Sequence, residues 1–302
     1  MAFKYNSPTK QEEEAQASLR TFCNYVEAWC RLTPEMEHLR ELQEQLNAFR
    51  CLQGGGNVDD FGGHFLRGNL ILRTMAELPL DRMPDLATGA IYWAPVQAYY
   101  ALHAFGLSVL SAIRHSTPNS HYTHSSYRRT MSEKILGVLF PRPFNVFCSG
   151  DPYENSDCTL ENLSTRADSV SSFSHLSCPN QENLDLLIGK SLIGTRKYFL
   201  VERYKEERKN LRKNGKKNLN KQIKKDIAIR HPKTSIIDFF YRLRLRSNYE
   251  DPDMYIHGRL SEECSISHYN NLVQIVRSFS LLCQNIVQKK VGKTKFDLLM
   301  QK

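Results

Sequence analysis

Residues 90–113, AIYWAPVQAYYALHAFGLSVLSAI, decide how this chain of 302 residues is read. The stretch holds no Asp, Glu, Lys or Arg, and its only basic side chain is His103. Its 24 residues are long enough, as a helix, to span a bilayer. Pro95, Gln97, His103, Ser108 and Ser111 tell against that, because polar groups in hydrocarbon are costly unless partnered. The stretch is expected to be a helix buried on all sides at the centre of a bundle, bending or restarting at Pro95.

Outward from this axis, helical periodicity recurs. Leu19, Phe22, Tyr25, Val26 and Trp29 repeat at three and four within 9–32. Thr33-Pro34 is expected to stop that helix and cap a second one, striped by Met36, Leu39, Leu42, Leu46 and Phe49 and ended by Gly54–Gly56. Further helices are expected at 63–77, 86–115, 125–139, 182–213, 216–228, 235–248 and 265–290. Residues 140–181 are rich in Ser, Asn, Pro and Asp and have no sustained period, so a long polar insertion is expected there. No window alternates convincingly as a strand, and no internal repeat stands out. The class is therefore all-α, a multi-helix bundle. Five segments follow: an N-terminal helical region (1–85), a first bundle half (86–139), the insertion (140–181), a basic helical hairpin (182–233) and a second bundle half (234–302).

The N-terminus, MAFKYNSPTKQEEEAQ, has no apolar h-region, so no secretory leader is expected. Eight cysteines (23, 30, 51, 148, 158, 178, 264, 283) lie without tight pairing, as suits reduced thiols and a cytoplasmic chain. Cys148, Cys158, His175 and Cys178 could in principle assemble a zinc site, but no C-x2-C knuckle is present, and no metal or cofactor is expected. The usual nucleotide-binding and hydrolytic motifs are absent, which argues against classical nucleotide hydrolysis.

The formal charge of +9 is unevenly spread. Residues 196–233 carry 15 Lys or Arg against four acids, a net +11, which leaves −2 for the rest of the chain. Such a segment can neutralise several phosphates with release of counterions. The expected contacts are Arg196, Lys197, Arg203, Lys205, Arg208, Lys209, Arg212, Lys213, Lys216, Lys217, Lys221, Lys224 and Lys225. Tyr198, Phe199 and Tyr204 could stack on bases, and Asn210, Asn214, Asn218 and Asn220 could bond phosphate or sugar. Asn214-Gly215 is expected to be the turn of the hairpin. The alternative is a solvated helical hairpin with basic outer faces.

The densest polar cluster is FFYRLRLRSNYEDPDMYIHGR, residues 239–259. Arg246, Asn248 and Asp251 could orient a phosphate or a 2′-hydroxyl, and His257 could act as general acid or base. The alternative is an ion-pair network that ties helices together.

Three runs, QAYYALHAFGLSVLSAIR, THSSYRRTMSEKI and YRLRLRSNYEDPD, resemble HEPN domains. The likeness lies in Tyr99–Ala101 with His103, in Thr123-His124-Ser125, and in the Arg-rich helix ending at Asn248–Asp251. It covers about 90–135 and 235–288. It implies a four- or five-helix bundle of prokaryotic toxin–antitoxin, CRISPR-associated or phage-defence systems, often dimeric, that acts on RNA as a metal-independent ribonuclease. Catalytic members carry Arg, four to six residues, then His. Here ten residues separate Arg246 from His257, so that motif is not met, and Arg114 and His121 have the spacing but sit at a helix end. The resemblance thus implies the fold more than the cleavage. RNA, ahead of DNA, is the expected partner; the alternative function is a non-catalytic module that dimerises or docks on an enzyme.

Overall fold

The computed structural model describes residues 9–45, 58–80, 82–113, 123–213, 219–250, 252–258 and 260–301. Helix α4 (Pro84–Ala112) is the axis, with Ala94, Ala98, Tyr99, Ala101, Leu102, Phe105, Val109 and Leu110 all buried. Around it pack α3 (Val58–Ala76), α10 (Ile236–Leu245) and α12 (Glu262–Val291). Helix α1 (Lys10–Leu32) lies against α12, α8 (Leu184–Lys213) and α11 (Pro252–His257). None of the described helices is long and apolar enough to cross a membrane. Most of the apolar stretch is covered by protein, with Trp93 left exposed.

Helix α4 runs unbroken through Pro95, where a bend or restart was expected. Proline has no N–H to give the carbonyl four residues back. The neighbouring carbonyl, Tyr92, accepts the Ser247 hydroxyl from a π-helical turn (Arg246–Glu250) that follows α10. The carbonyl that Pro95 deprives of its helical donor is that of Ile91, so the Ser247 bond ties the π-helical turn to α4 beside the proline and does not replace the lost one.

Small residues set how closely the helices approach. A Cβ on Gly106 would sit 2.2 Å from the Tyr127 hydroxyl, which donates to the Leu102 carbonyl at 2.9 Å. Tyr127 belongs to α5 (His124–Thr130) and is fully buried. Gly106→Ala is therefore expected to cost about 2–3 kcal/mol, since overpacking outweighs the ~1 kcal/mol gain in helix propensity. Urea denaturation would measure it, and an unchanged midpoint would contradict this packing.

Several boundaries differ from expectation. Thr33 ends α1, its hydroxyl donating to the Trp29 carbonyl at 2.9 Å, and does not cap the next helix. Helix α2 (Met36–Glu44) is capped by Glu35 without a side-chain bond, and its buried residues are Leu39 and Gln43. Met36 is exposed, and Gln43 donates to the Leu139 and Leu282 carbonyls at 3.1 and 3.2 Å. Leu46, Phe49 and Gly54–Gly56 lie outside the described residues. Helix α5 continues through a π-helical turn (Met131–Ile135) into α6 (Leu136–Leu139).

The expected polar insertion is part of the core. Phe140, Phe144, Val146, Phe147 and Cys148 are buried with the main cluster, which extends from Leu19 to Phe296. Within the insertion, β1 (Phe147–Gly150) and β2 (Cys158–Glu161) form an antiparallel pair, followed by α7 (Ala167–Ser172). Strand β1 also bridges Thr234, with N–H···O bonds of 2.9 Å in both directions to Cys148. The strands that sequence periodicity did not show are four residues each, too short for alternation to emerge. The chain closes with α13 (Lys293–Met300).

Candidate nucleic-acid interface

Helix α8 changes character along its length. Its first half, Leu184 to Thr195, is apolar and mostly buried; from Val201 onward it is largely exposed. Helix α9 (Lys221–Arg230) folds back on it through a small cluster of Leu200, Tyr204 and Ala228. Tyr204 donates to the Lys224 carbonyl at 3.2 Å. Asn220 caps α9, accepting the Ile223 N–H at 2.8 Å. Two helices packed antiparallel by so few apolar groups leave the outer faces free to carry charge.

The expected cations are sorted into three kinds. Arg196 is 0 % exposed and is not a surface contact. Its guanidinium donates to the carbonyls of Gly150 (2.7 Å), Pro232 (2.8 Å), Ala228 (2.8 Å), Cys148 (3.3 Å) and His231 (3.3 Å), and to Thr234 Oγ1 (3.3 Å). It clamps β1 to the C-terminal end of α9.

A second group meets acids within the chain. Arg203 pairs with Glu206 at 2.8 Å and Lys205 with Glu202 at 2.7 Å along α8. Lys221, Lys225 and Lys233 pair with Glu154, Asp157 and Glu161 of the β-hairpin, each at 2.6 Å. Lys197 lies 5.4 Å over the Tyr153 ring. Exposed pairs of this kind contribute about 0–1 kcal/mol each, but they do offset local charge.

The third group is Arg208, Lys209, Arg212 and Lys213 at the end of α8, with Lys224 on α9. All five are exposed, and none pairs with an acid among the described residues. Lys216, Lys217, Asn214, Gly215 and Asn218 lie outside the described residues.

Between α5, α8 and α9 lies a groove of about 620 Å³. Five cationic and four acidic side chains line it, so it has little net charge. Arg128 lies 4.3 Å from both the Phe199 and Tyr241 rings and pairs with Asp238 at 2.5 Å. Asp238 also accepts from the Ser235 N–H at 2.9 Å. Phe199 is thus covered, Tyr204 is buried, and Tyr198 packs on Phe199 and under Arg242. These aromatics stack on the protein, not outward as base platforms.

The expected catalytic residues are dispersed in role. The Arg246 guanidinium lies 4.7 Å over the Phe22 ring of α1, and Asn248 is half-buried in the π-helical turn. His257 ends α11, whose first residue is Pro252; the proline starts a helix there. Asp251, Arg114 and His121 lie outside the described residues. Cys148, Cys158, His175 and Cys178, weighed as a zinc set, are not brought together: His175 lies near α1, where Asn24 donates to its carbonyl at 3.4 Å, and no described group of three or more His, Cys, Asp or Glu could hold a metal.

A different cluster forms where α4, α5 and α10 meet. Tyr99 Oη and His124 Nδ1 are 2.8 Å apart, and the His103 and His124 rings are 5.0 Å apart. Arg244 donates to the Tyr100 hydroxyl at 2.9 Å and lies over several tyrosine rings. Burial, aided by His124, pulls His103 down to about 3; burial and the Arg244 and Arg128 cations lower His124. Both imidazoles are held neutral. The four-residue spacing of Phe240 and Arg244 was the available sign that this arginine faces inward.

Burial also depresses His231 and His268 to about 4. An unfolded histidine titrates near 6.5, so below that pH the unfolded chain binds more protons. The stabilisation these neutral rings bring is complete above about pH 6.5 and is lost as pH falls towards 4. Each ring adds up to about 1.4 kcal/mol per pH unit in that window. Urea melts at pH 7, 6 and 5 should show the loss, and His268→Leu should flatten the slope; a pH-independent stability would contradict it.

No family model, no curated protein and no solved structure matches this chain.

Proposed function

We propose that this chain is a nucleic-acid-binding protein whose preferred ligand is RNA, held by the distal end of the α8–α9 hairpin. The observation that carries this reading is the group of exposed cations at Arg208, Lys209, Arg212, Lys213 and Lys224, which have no acidic partner among the described residues. Charges already satisfied within a protein gain little from phosphate; uncompensated ones gain by releasing counterions. The mixed-charge groove nearby is the lesser part of this interface, because its acids would meet phosphate with repulsion. The resemblance to HEPN domains adds an RNA substrate, a homodimer and a prokaryotic toxin–antitoxin or phage-defence setting to the proposal.

The proposal is one of binding. Cleavage is a separate arm, with Arg246 and His257 as the residues expected from sequence and the Tyr99–His124–Arg244 cluster as the alternative setting. Fluorescence anisotropy with a labelled RNA, competed by DNA of the same sequence, tests the reading. Binding that RNA competes better than DNA supports it. Intact RNA after long incubation removes the ribonuclease arm and leaves the binding reading standing.

A second reading, a protein-docking module, is favoured by a different surface. Met83, Leu86 and Trp93 are exposed at 50, 41 and 57 % along the start of α4. Exposed apolar groups at helical spacing are a common sign of a protein contact. Absence of nucleic-acid binding at low salt would favour this reading.

A further inference from the structure

The described cysteines differ sharply in setting. Cys178 and Cys264 are exposed, whereas Cys148 and Cys158 are buried on facing strands with their sulfurs 3.7 Å apart. The register pairs Cys148 with Leu160 and Gly150 with Cys158, which makes the two thiols diagonal neighbours on one sheet face. Gly150 permits this closeness. Its φ is +78°, and a Cβ there would meet the Asp157 carbonyl oxygen at 1.8 Å. The Arg196 guanidinium is anchored beside the pair, on the carbonyls of Cys148 and Gly150.

The two thiols are not equivalent. Cys158 is 9 % exposed and Cys148 is 0 % exposed. The hydrogen bond from the Cys148 thiol holds Cys158 below its ordinary pKa, with Arg196 and Lys197 assisting. That same bond, with burial, pushes Cys148 well up. A cation next to the more accessible sulfur is the setting in which a thiol reacts as thiolate.

We propose that Cys148 and Cys158 are a redox-active dithiol that closes to a disulfide with a peroxide as the oxidant. The Cys158 thiolate attacks one peroxide oxygen, the O–O bond breaks, and Cys158 becomes a sulfenic acid while hydroxide leaves and takes up the thiol's former proton as water. The Cys148 sulfur then attacks the sulfenic sulfur, an S–S bond forms, and a second water leaves. The sulfur pair loses two electrons to the peroxide, which ends as two waters. The sulfurs must close from 3.7 Å to roughly 2 Å, a small movement on a hairpin bent by Gly150. The bond would staple the hairpin that presents Glu154 and Asp157 to α9 and Glu161 to Lys233 just beyond it.

The test uses the full chain carrying Cys178→Ser and Cys264→Ser, reduced and then exposed to a slight excess of hydrogen peroxide. After removal of oxidant, the protein is unfolded, alkylated and mapped as unreduced peptides. The expected result is a cross-linked peptide joining positions 148 and 158, two fewer alkylatable thiols, and full reversal by dithiothreitol. In the same background, Cys148→Ser should leave Cys158 as a sulfenic acid that dimedone captures. Sulfinic acid at Cys158 without a cross-link, both thiols still alkylatable after treatment, or a cross-link appearing only in urea would each overturn the proposal. The wild-type chain treated in the same way gives the answer should the serine background fail to fold.

Discussion

Arg196→Met is expected to lower the unfolding free energy by about 4 kcal/mol, which puts it among the severe single substitutions. Methionine fills much of the space but donates nothing. Five carbonyls and the Thr234 hydroxyl would lose the guanidinium in a site where the side chain is 0 % exposed, while Cys148 keeps the Thr234 N–H and Ala228 the His231 N–H. A buried acceptor left without a partner costs about 1–3 kcal/mol, and water entering through the loosened hairpin relieves part of the sum. The carbonyls of Ala228 and His231 lie at the end of α9, where helical carbonyls run short of donors; besides the arginine, Ala228 accepts the His231 N–H at 3.3 Å. The arginine therefore acts as the cap of α9 as well as its tie to β1. Arg196→Lys should recover less than half, because one ammonium cannot reproduce the planar fork. Urea denaturation measures the global loss, and amide exchange across 219–231 should show that segment opening first. A variant within about 1 kcal/mol of the wild type would mean that the clamp is dispensable.

The quadruple variant R208Q/K209Q/R212Q/K213Q is expected to lose several-hundred-fold of RNA affinity at about 0.1 M salt, with stability almost unchanged. Each phosphate contact on a single strand contributes about 0.7 to the slope of log affinity against log salt, so four contacts are worth roughly 2.8 log units at that concentration. The four side chains are exposed and lie beyond the small apolar cluster, so their loss leaves packing intact. The triple variant K221Q/K225Q/K233Q removes nearly as much formal charge but should cost far less affinity, because Glu154, Asp157 and Glu161 already neutralise those lysines. Equal losses in both variants would show that total charge matters and its arrangement does not.

The axis of the bundle was legible because an uncharged run of 24 residues has few other soluble uses, and the interrupting polar groups spoke against lipid. Its continuation through Pro95 was not legible, since the packing around that turn, including the Ser247 bond to the Tyr92 carbonyl, comes from far along the chain. The positive segment was visible by counting, yet its partition was not. Arg196 counts as one cation like any other until β1 and α9 bring their carbonyls to it. The acids that offset three lysines lie in residues 154–161, which as sequence are merely polar. Turn-forming Ser and Asn in 140–181 masked Phe140, Phe144, Val146 and Phe147, whose burial makes the segment structural. Of the polar cluster in 239–259, Arg246, Asn248 and His257 are half-buried and do not converge on one site, and Asp251 lies outside the described residues. The inward Arg244 meets Tyr100 and, through α5, His124, partners that spacing within one helix does not reveal.

The salt dependence of RNA binding by the wild-type chain is the most direct test of a phosphate-binding hairpin. Anisotropy titrations of a labelled single-stranded RNA from about 50 to 300 mM salt should give a slope of log affinity against log salt of about −2.8 or steeper, made shallower by about 2.8 in R208Q/K209Q/R212Q/K213Q. A shallow slope in the wild type, or no binding at the lowest salt, would contradict it and turn attention to the apolar face at Met83, Leu86 and Trp93.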